Sequence, residues 1–125
     1  MSKVLRTFIV DDESDSRDLL TYFLMQDRQL DIIGYYADAS NILHEIEQYN
    51  PDVVFTDISL PVLGGIEAAE LIREKFPNVK IVFLTAYSRF KSRAMQLEPS
   101  GFLLKPFDVD EVKTCLHRLK NDFPT

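Results

Sequence analysis

Cysteine is almost missing. The 125-residue chain has one, Cys115, which excludes an internal disulfide framework and a multi-cysteine metal site. Positive charge is also in short supply. Fourteen Lys and Arg against twenty Asp and Glu leave a formal net charge of −6. That balance argues against a general affinity for phosphate backbones, and so against direct nucleic-acid binding by this domain. No apolar run approaches the ~18 residues of a membrane span. Met1-Ser2-Lys3 leads directly into a strand-like stretch, without the apolar region of a signal peptide. Internal repeats, low-complexity segments and long linkers are missing too. These absences lead us to expect one soluble, cytoplasmic domain over residues 1–125, large enough to bury its own core.

Short apolar runs alternate with amphipathic stretches. The runs are Val4 to Val10, Ile32 to Tyr36, Val53 to Phe55, Val79 to Leu84 and Phe102 to Leu104, and their β-branched and aromatic content suits buried parallel strands. Between and after them the apolar residues fall at helical spacing: Leu19, Leu20, Phe23 and Leu24; Ile42, Leu43 and Ile46; Ile66, Ala69, Ile72 and Phe76; Phe90, Ala94 and Leu97; Val109, Val112, Leu116 and Leu119. Pro51, Pro77 and Pro99 are placed to close the second, third and fourth helices, because the residue before a proline avoids the helical region. Asp108 followed by Glu111 reads as a capping box for the fifth. Five strand–helix units predict an open, doubly wound five-stranded parallel sheet flanked by five helices. A barrel of eight such units needs roughly twice this length.

In sheets of this kind ligands bind beyond the carboxyl ends of the strands, so the residue after each run carries weight. Asp11, Asp12 and Glu13 follow the first run, Asp57 the third, Thr85 the fourth and Lys105 the fifth. Three crowded aspartates repel one another unless something neutralises them. Lys105 offsets one charge. A hard divalent cation with oxygen ligands answers the rest, and Mg²⁺ suits a few carboxylates, water and a phosphate oxygen. Metal, hydroxyl and ammonium together match the oxygens of a phosphoryl group in flight, and a carboxylate can be the nucleophile that receives it. Asp57, from the middle of the chain, is the candidate acceptor.

Each of these residues has a plainer reading. Asp11-Asp12-Glu13 could cap the first helix, Asp57 could be a turn residue before Pro61, Gly64 and Gly65, Thr85 could be a helix cap, and Lys105 could be a surface lysine. All four groups reaching one rim is the argument for the functional reading. His44, on the polar side of the second helix, and His117, near the end of the fifth, are not expected to bind metal. Cys115, Met25 and Met95 read as packing residues.

The stretches Phe8-Ile9-Val10-Asp11-Asp12-Glu13, Pro51 through Asp57 to Pro61, Phe83-Leu84-Thr85-Ala86 and Gly101 through Lys105 to Phe107 together resemble a response regulator receiver domain, CheY-like in type. The resemblance covers essentially the whole chain. It implies a sheet in the order 2-1-3-4-5 and Asp57 as the phosphoryl acceptor. It implies Asp12 as a direct Mg²⁺ ligand and Asp11 acting mainly through metal-bound water, with the Ser59 backbone carbonyl as a further ligand. Thr85 and Lys105 would hold phosphoryl oxygens, Phe102 would be the aromatic that changes rotamer with Thr85, and Lys105-Pro106 would be a cis peptide. Ser59 and Tyr87 occupy places that vary in the family and tune the lifetime of the phosphate. Phe102 replaces the commoner tyrosine, and Pro99 stands where a small residue is usual. The fourth and fifth strand segments are similar to receivers joined to LytTR-type DNA-binding domains.

The function implied is a phospho-accepting switch of a two-component phosphorelay, not an enzyme beyond its own phosphorylation and dephosphorylation. The donor would be a histidine kinase or a histidine phosphotransfer protein. The output would be an attached domain, a partner protein or a phosphorylation-dependent homodimer. The surface of the fourth helix, fifth strand and fifth helix, with Arg89, Lys91, Arg93, Asp108, Glu111 and Arg118, would carry it. Three other readings compete with it. A pseudo-receiver that only binds partners is disfavoured by the intact set Asp11, Asp12, Asp57, Thr85 and Lys105. An aspartyl-nucleophile phosphohydrolase needs Asp-x-Asp after the first strand and a cap domain, and this chain has Asp-Asp-Glu and no cap. A flavodoxin-like cofactor binder needs a phosphate loop where this chain is acidic.

Overall fold

A computed structural model describes residues 3–123. The chain alternates β1 (Leu5–Val10), α1 (Ser14–Met25), β2 (Leu30–Tyr36), α2 (Ile42–Tyr49), β3 (Val53–Asp57), α3 (Gly65–Lys75), β4 (Lys80–Thr85), α4 (Lys91–Met95), β5 (Gly101–Leu104) and α5 (Val109–Asn121). The five strands form one parallel sheet in the order β2-β1-β3-β4-β5. The expected fold class and strand order are what the structure has.

The sheet divides the apolar residues because successive side chains on a strand point to opposite faces. Leu5, Ile9, Val53, Phe55, Val82, Leu84 and Leu103 face α1 and α5, where Leu20, Leu24, Val112, Leu116 and Leu119 complete one core. Phe8, Val10, Val54, Ile81 and Phe83 face α2, α3 and α4, against Ile42, Ile46, Ile66, Ala69, Ile72 and Ala94. The central strands carry apolar residues toward both faces because helices cover both.

Strand ends decide where the polar residues stand. β3 and β4 run two and one residues further than the apolar runs suggest, so Asp57 and Thr85 are the last residues of their strands. Val10 pairs with Thr56, Asp57 with Leu84, and Thr85 with Leu104. The next main-chain bonds continue the ladder: the Asp11 N–H donates to the Tyr36 carbonyl at 2.9 Å and the Lys105 N–H to the Thr85 carbonyl at 2.7 Å. Asp11, Asp57, Thr85 and Lys105 therefore leave the sheet at one level.

Several expectations need correcting. α4 is only five residues long, preceded by one 3-10 turn at Ser88–Phe90, and it ends four residues before Pro99. Its stop is a left-handed Glu98, φ 49°, tied down by Arg73 of α3. The Arg73 guanidinium donates to the carbonyls of Leu97, Val79 and Glu98 at 3.1–3.2 Å. Met25 and Met95 are not packed: they are 70% and 46% exposed, because each lies on the outer side of its helix end. Leu19 is also exposed, and α1 buries Leu20 and Leu24. α2 ends as expected at Asn50, in the left-handed conformation before Pro51. The capping box of α5 is formed: the Glu111 N–H donates to Asp108 Oδ1 at 2.9 Å, and the Asp108 N–H to Glu111 Oε1. Cys115 is buried and His44 and His117 are exposed.

Candidate functional site

At the carboxyl rim of the sheet, one oxygen from each of Asp11, Asp12 and Asp57 lies within 4.8 Å of the others. Asp11 is fully buried at the exit of β1 and Asp57 nearly so at the end of β3, whereas Asp12 faces solvent. Lys105 reaches this group from the residue after β5. Its Nζ stands 2.6 Å from Asp57 Oδ2, 3.0 Å from Asp11 Oδ2 and 2.9 Å from Glu13 Oε1. With its side chain 11% exposed, Lys105 is no surface lysine. The Lys105-Pro106 peptide is cis.

The carboxylates are held by main-chain donors. The Ser59 N–H donates to Asp57 Oδ1 at 3.0 Å, and the Glu13 N–H to Asp11 Oδ1 at 3.0 Å. Glu13 is the N-cap residue of α1 but offers no side-chain capping bond. Its carboxylate turns to Lys105 instead, so the first-helix capping role does not describe it. Thr85, fully buried, accepts from the Tyr87 N–H at 3.1 Å through Oγ1. That bond begins the turn after β4, yet the helical N-cap there is Tyr87. After Asp57 the chain loops out and returns so closely that a Cβ on Gly65 would collide with the Asp57 carbonyl oxygen. The Gly65 N–H closes the loop on the Ile58 carbonyl at 2.8 Å. Val62, at its tip, is 91% exposed with φ 69°, a conformation costly for a β-branched residue.

Electrostatics follow from burial and from this lysine. Burial pushes the Asp57 carboxyl above the ordinary carboxylate range. Hydrogen bonds from Lys105 and the Ser59 N–H pull it back, and the neighbouring Asp11 charge adds to the rise. Burial alone would depress the Lys105 ammonium, but its hydrogen bonds to Asp57 and Glu13 and its close approach to the Asp11 carboxylate reverse that and hold it above the usual lysine value. One buried oxygen stays unsatisfied: Asp11 Oδ2, near the Lys105 ammonium but not along a hydrogen-bond direction, accepts no hydrogen bond. A buried carboxylate oxygen in that condition is costly.

This donor set fits Mg²⁺. All three groups offer hard oxygens, their charge exceeds what one lysine can answer, and Asp11 carries a buried oxygen that accepts no hydrogen bond. Two contributors were not singled out from sequence. Glu13 shares Lys105, and its only signal was its place beside the aspartate pair. Arg17 of α1 donates from Nη1 to the Asp11 carbonyl at 2.8 Å, and nothing in its spacing pointed to that. Phe102 lies on β5, partly buried against the α2–α3–α4 core, with Lys91 Nζ 5.9 Å from its ring centre.

Comparison with known proteins adds the family context. The sequence model of the response regulator receiver domain matches residues 7–117. The chain is 31% identical over 123 residues to the sensory transduction protein LytT of Oceanobacillus iheyensis, covering 97% of this chain and 50% of that protein. It is 36% identical over 120 residues to an uncharacterised response regulatory protein of Yersinia pestis, covering 95% and 50%. The chain thus spans about half the length of these curated relatives. Among solved structures, the response regulatory domain of protein mrkE from Klebsiella pneumoniae superposes with a TM-score of 0.87 at 27% identity, covering 94% of this chain and 96% of that one.

Proposed function

The chain belongs to the response regulator receiver domain family of two-component signalling, and from that premise we propose that Asp57 accepts a phosphoryl group and so switches a partner surface. The single observation that carries this reading is the geometry of Asp57. A buried carboxylate lies beside two other carboxylates and 2.6 Å from a lysine ammonium.

One Asp57 carboxylate oxygen attacks phosphorus. The new O–P bond forms as the bond to the donor's leaving atom breaks, and the product is an aspartyl phosphate. The donor is a histidine kinase or a histidine phosphotransfer protein. Asp11, Asp12 and Asp57, with the Ser59 carbonyl, would hold Mg²⁺, which when bound supplies positive charge to the carboxylates and the incoming phosphoryl oxygens. The Ser59 N–H keeps the Asp57 carboxylate oriented. Lys105 transfers its ammonium from the carboxylates to a phosphoryl oxygen, and the Thr85 hydroxyl, whose oxygen already accepts from Tyr87, donates its proton to another. Movement of Thr85 opens space behind β4, and Phe102 fills it, since a half-buried ring gains apolar contact by turning inward. The altered face is that of α4, β5 and α5. The catalysis extends only to the domain's own phosphorylation and dephosphorylation. We assign one receiver domain to residues 1–125. No helix among the described residues is long and apolar enough to cross a membrane.

Incubation with a small acyl phosphate and Mg²⁺, followed by intact-mass spectrometry, should show one phosphoryl adduct. Peptide mapping should place it on Asp57, and Asp57→Asn should lack it. An adduct of equal yield in Asp57→Asn overturns the assignment.

A further inference from the structure

β1 stops pairing at Val10, and α1 starts at Ser14. The three residues between them carry two of the proposed metal ligands. The Asp11 N–H is tied to Tyr36 of β2 at 2.9 Å. The Asp11 carbonyl is beyond the ladder and before the helix, so neither element supplies it with a main-chain donor. Its partner is the Arg17 guanidinium, at 2.8 Å. Arg17 itself is fixed: its N–H donates to the Glu13 carbonyl at 3.0 Å, and its own carbonyl accepts from the Thr21 hydroxyl at 2.7 Å.

The Asp11 carbonyl and the Asp12 N–H belong to one rigid peptide plane. Gripping the carbonyl therefore sets how that plane is turned, and with it the direction in which the Asp12 side chain leaves the backbone. Asp12 is exposed, and among the described residues no hydrogen bond orients its side chain in any other way. We propose that Arg17 is a positioning residue for the cation site. By holding the Asp11–Asp12 peptide, it keeps the Asp12 carboxylate within reach of Asp11 and Asp57. The proposal rests on the reading of the acidic rim as a Mg²⁺ site.

A second effect of Arg17 has the opposite sign, which makes the idea sharply testable. A guanidinium bonded to the main chain of a proposed ligand residue repels a divalent cation bound there. If Arg17 acted only as a charge, its removal would tighten Mg²⁺ binding. If it positions ligands, its removal weakens binding, as loss of supporting groups behind metal ligands does, by roughly tenfold or more. A purely structural arginine would lower the melting temperature and leave the affinity of the folded protein unchanged.

The experiment is a Mg²⁺ titration of the full chain followed through the amide resonances of Glu13 and Ser59, for wild type, Arg17→Met and Arg17→Lys, with a metal-free thermal melt of each. We expect Arg17→Met to bind Mg²⁺ about tenfold more weakly than wild type. Arg17→Lys, which keeps the charge and a point donor but not the planar fork, should lie between. Affinity in Arg17→Met equal to or tighter than wild type overturns the proposal. Should Arg17→Met fail to fold, Arg17→Lys decides alone: its charge is unchanged, so weaker binding supports positioning and wild-type affinity overturns it. A wild type that does not titrate with Mg²⁺ overturns the metal reading itself, and this proposal with it.

Discussion

One ammonium answers three carboxylates at the rim. Lys105 touches Asp57, Asp11 and Glu13, while Asp12 sits within the cluster with no lysine of its own. The metal-free site is thus held together under repulsion. Asp12→Ala removes one of the repelling charges without opening the core, because Asp12 is exposed. Its apo form should melt at or above the wild-type temperature. Ligand binding to the native state adds RT ln(1 + [L]/Kd), about 1.4 kcal/mol at ten times Kd, or roughly 4 °C for a domain of this size. Wild type should gain that with Mg²⁺ and Asp12→Ala should not. A melt that shows equal gains in both proteins, or none in wild type, contradicts the cluster's role. At this scale the sequence is legible where chemistry and position coincide. Asp11, Asp12, Asp57, Thr85 and Lys105 stand out because charge or a lone hydroxyl follows a buried run. Arg17 does not stand out, because its contact is with a backbone carbonyl that no residue pattern records. Met25 and Met95 mislead in the other direction: apolar type suggests packing, but a side chain on the outer face of a helix end has nothing to pack against.

α1 and α5 cover one face of the sheet side by side, and Asp27, just past α1, is bridged to Lys120 of α5. Burial would raise the Asp27 carboxyl, but the Lys120 bond, the Gln29 N–H and the lysine charge together hold it below the ordinary aspartate value. A depressed pKa in the folded state means that stabilisation is fully present above the unfolded value and is lost as pH falls through the folded one. Asp27→Asn should therefore cost about 0.5–1 kcal/mol at neutral pH, the range of a partly exposed pair, and nothing at pH low enough to protonate Asp27. Denaturant melts of both proteins across pH 2–7 give the answer. A difference that is independent of pH would mean that the ion pair contributes nothing. The elements themselves were largely readable, because strand runs, prolines and the Asp108–Glu111 box act locally. α4 was not. Phe90, Ala94 and Leu97 have helical spacing, but Phe90 falls in a 3-10 turn and Leu97 beyond the helix end. The left-handed Glu98 does stand before Pro99, where the proline predicts a break, but the hold of Arg73 of α3 on the Leu97 and Glu98 carbonyls is a long-range contact that no local signal reveals.

Among the described residues the two cores share no member, and the sheet lies between them. Strands β4 and β5 end in the site and also floor the α4–β5–α5 face, so a change at Asp57 has a short route to that surface. Phe102 is half-buried against the α2–α3–α4 core, beside Lys91. Beryllofluoride with Mg²⁺ should therefore favour self-association or partner docking on this face. A mimic shifts a two-state equilibrium only by its differential affinity, so Thr85→Ala should weaken the response. Sedimentation with and without the mimic tests it. Unchanged association, together with unaltered amide exchange at Phe102 and α4, would exclude this route. The same topology sets a schedule. The rim is assembled from residues 11 to 105, and β5 joins the sheet only through β4. Domains are synthesised from the N-terminus at roughly 5–20 residues per second. Between the emergence of Asp57 and that of Lys105, a nascent chain carries its acidic residues with no lysine to bind them. If the rim receives the signal as proposed, receptivity arrives late in translation and all at once, and a chain truncated before β5 should be deaf to it, however well its first strands have formed.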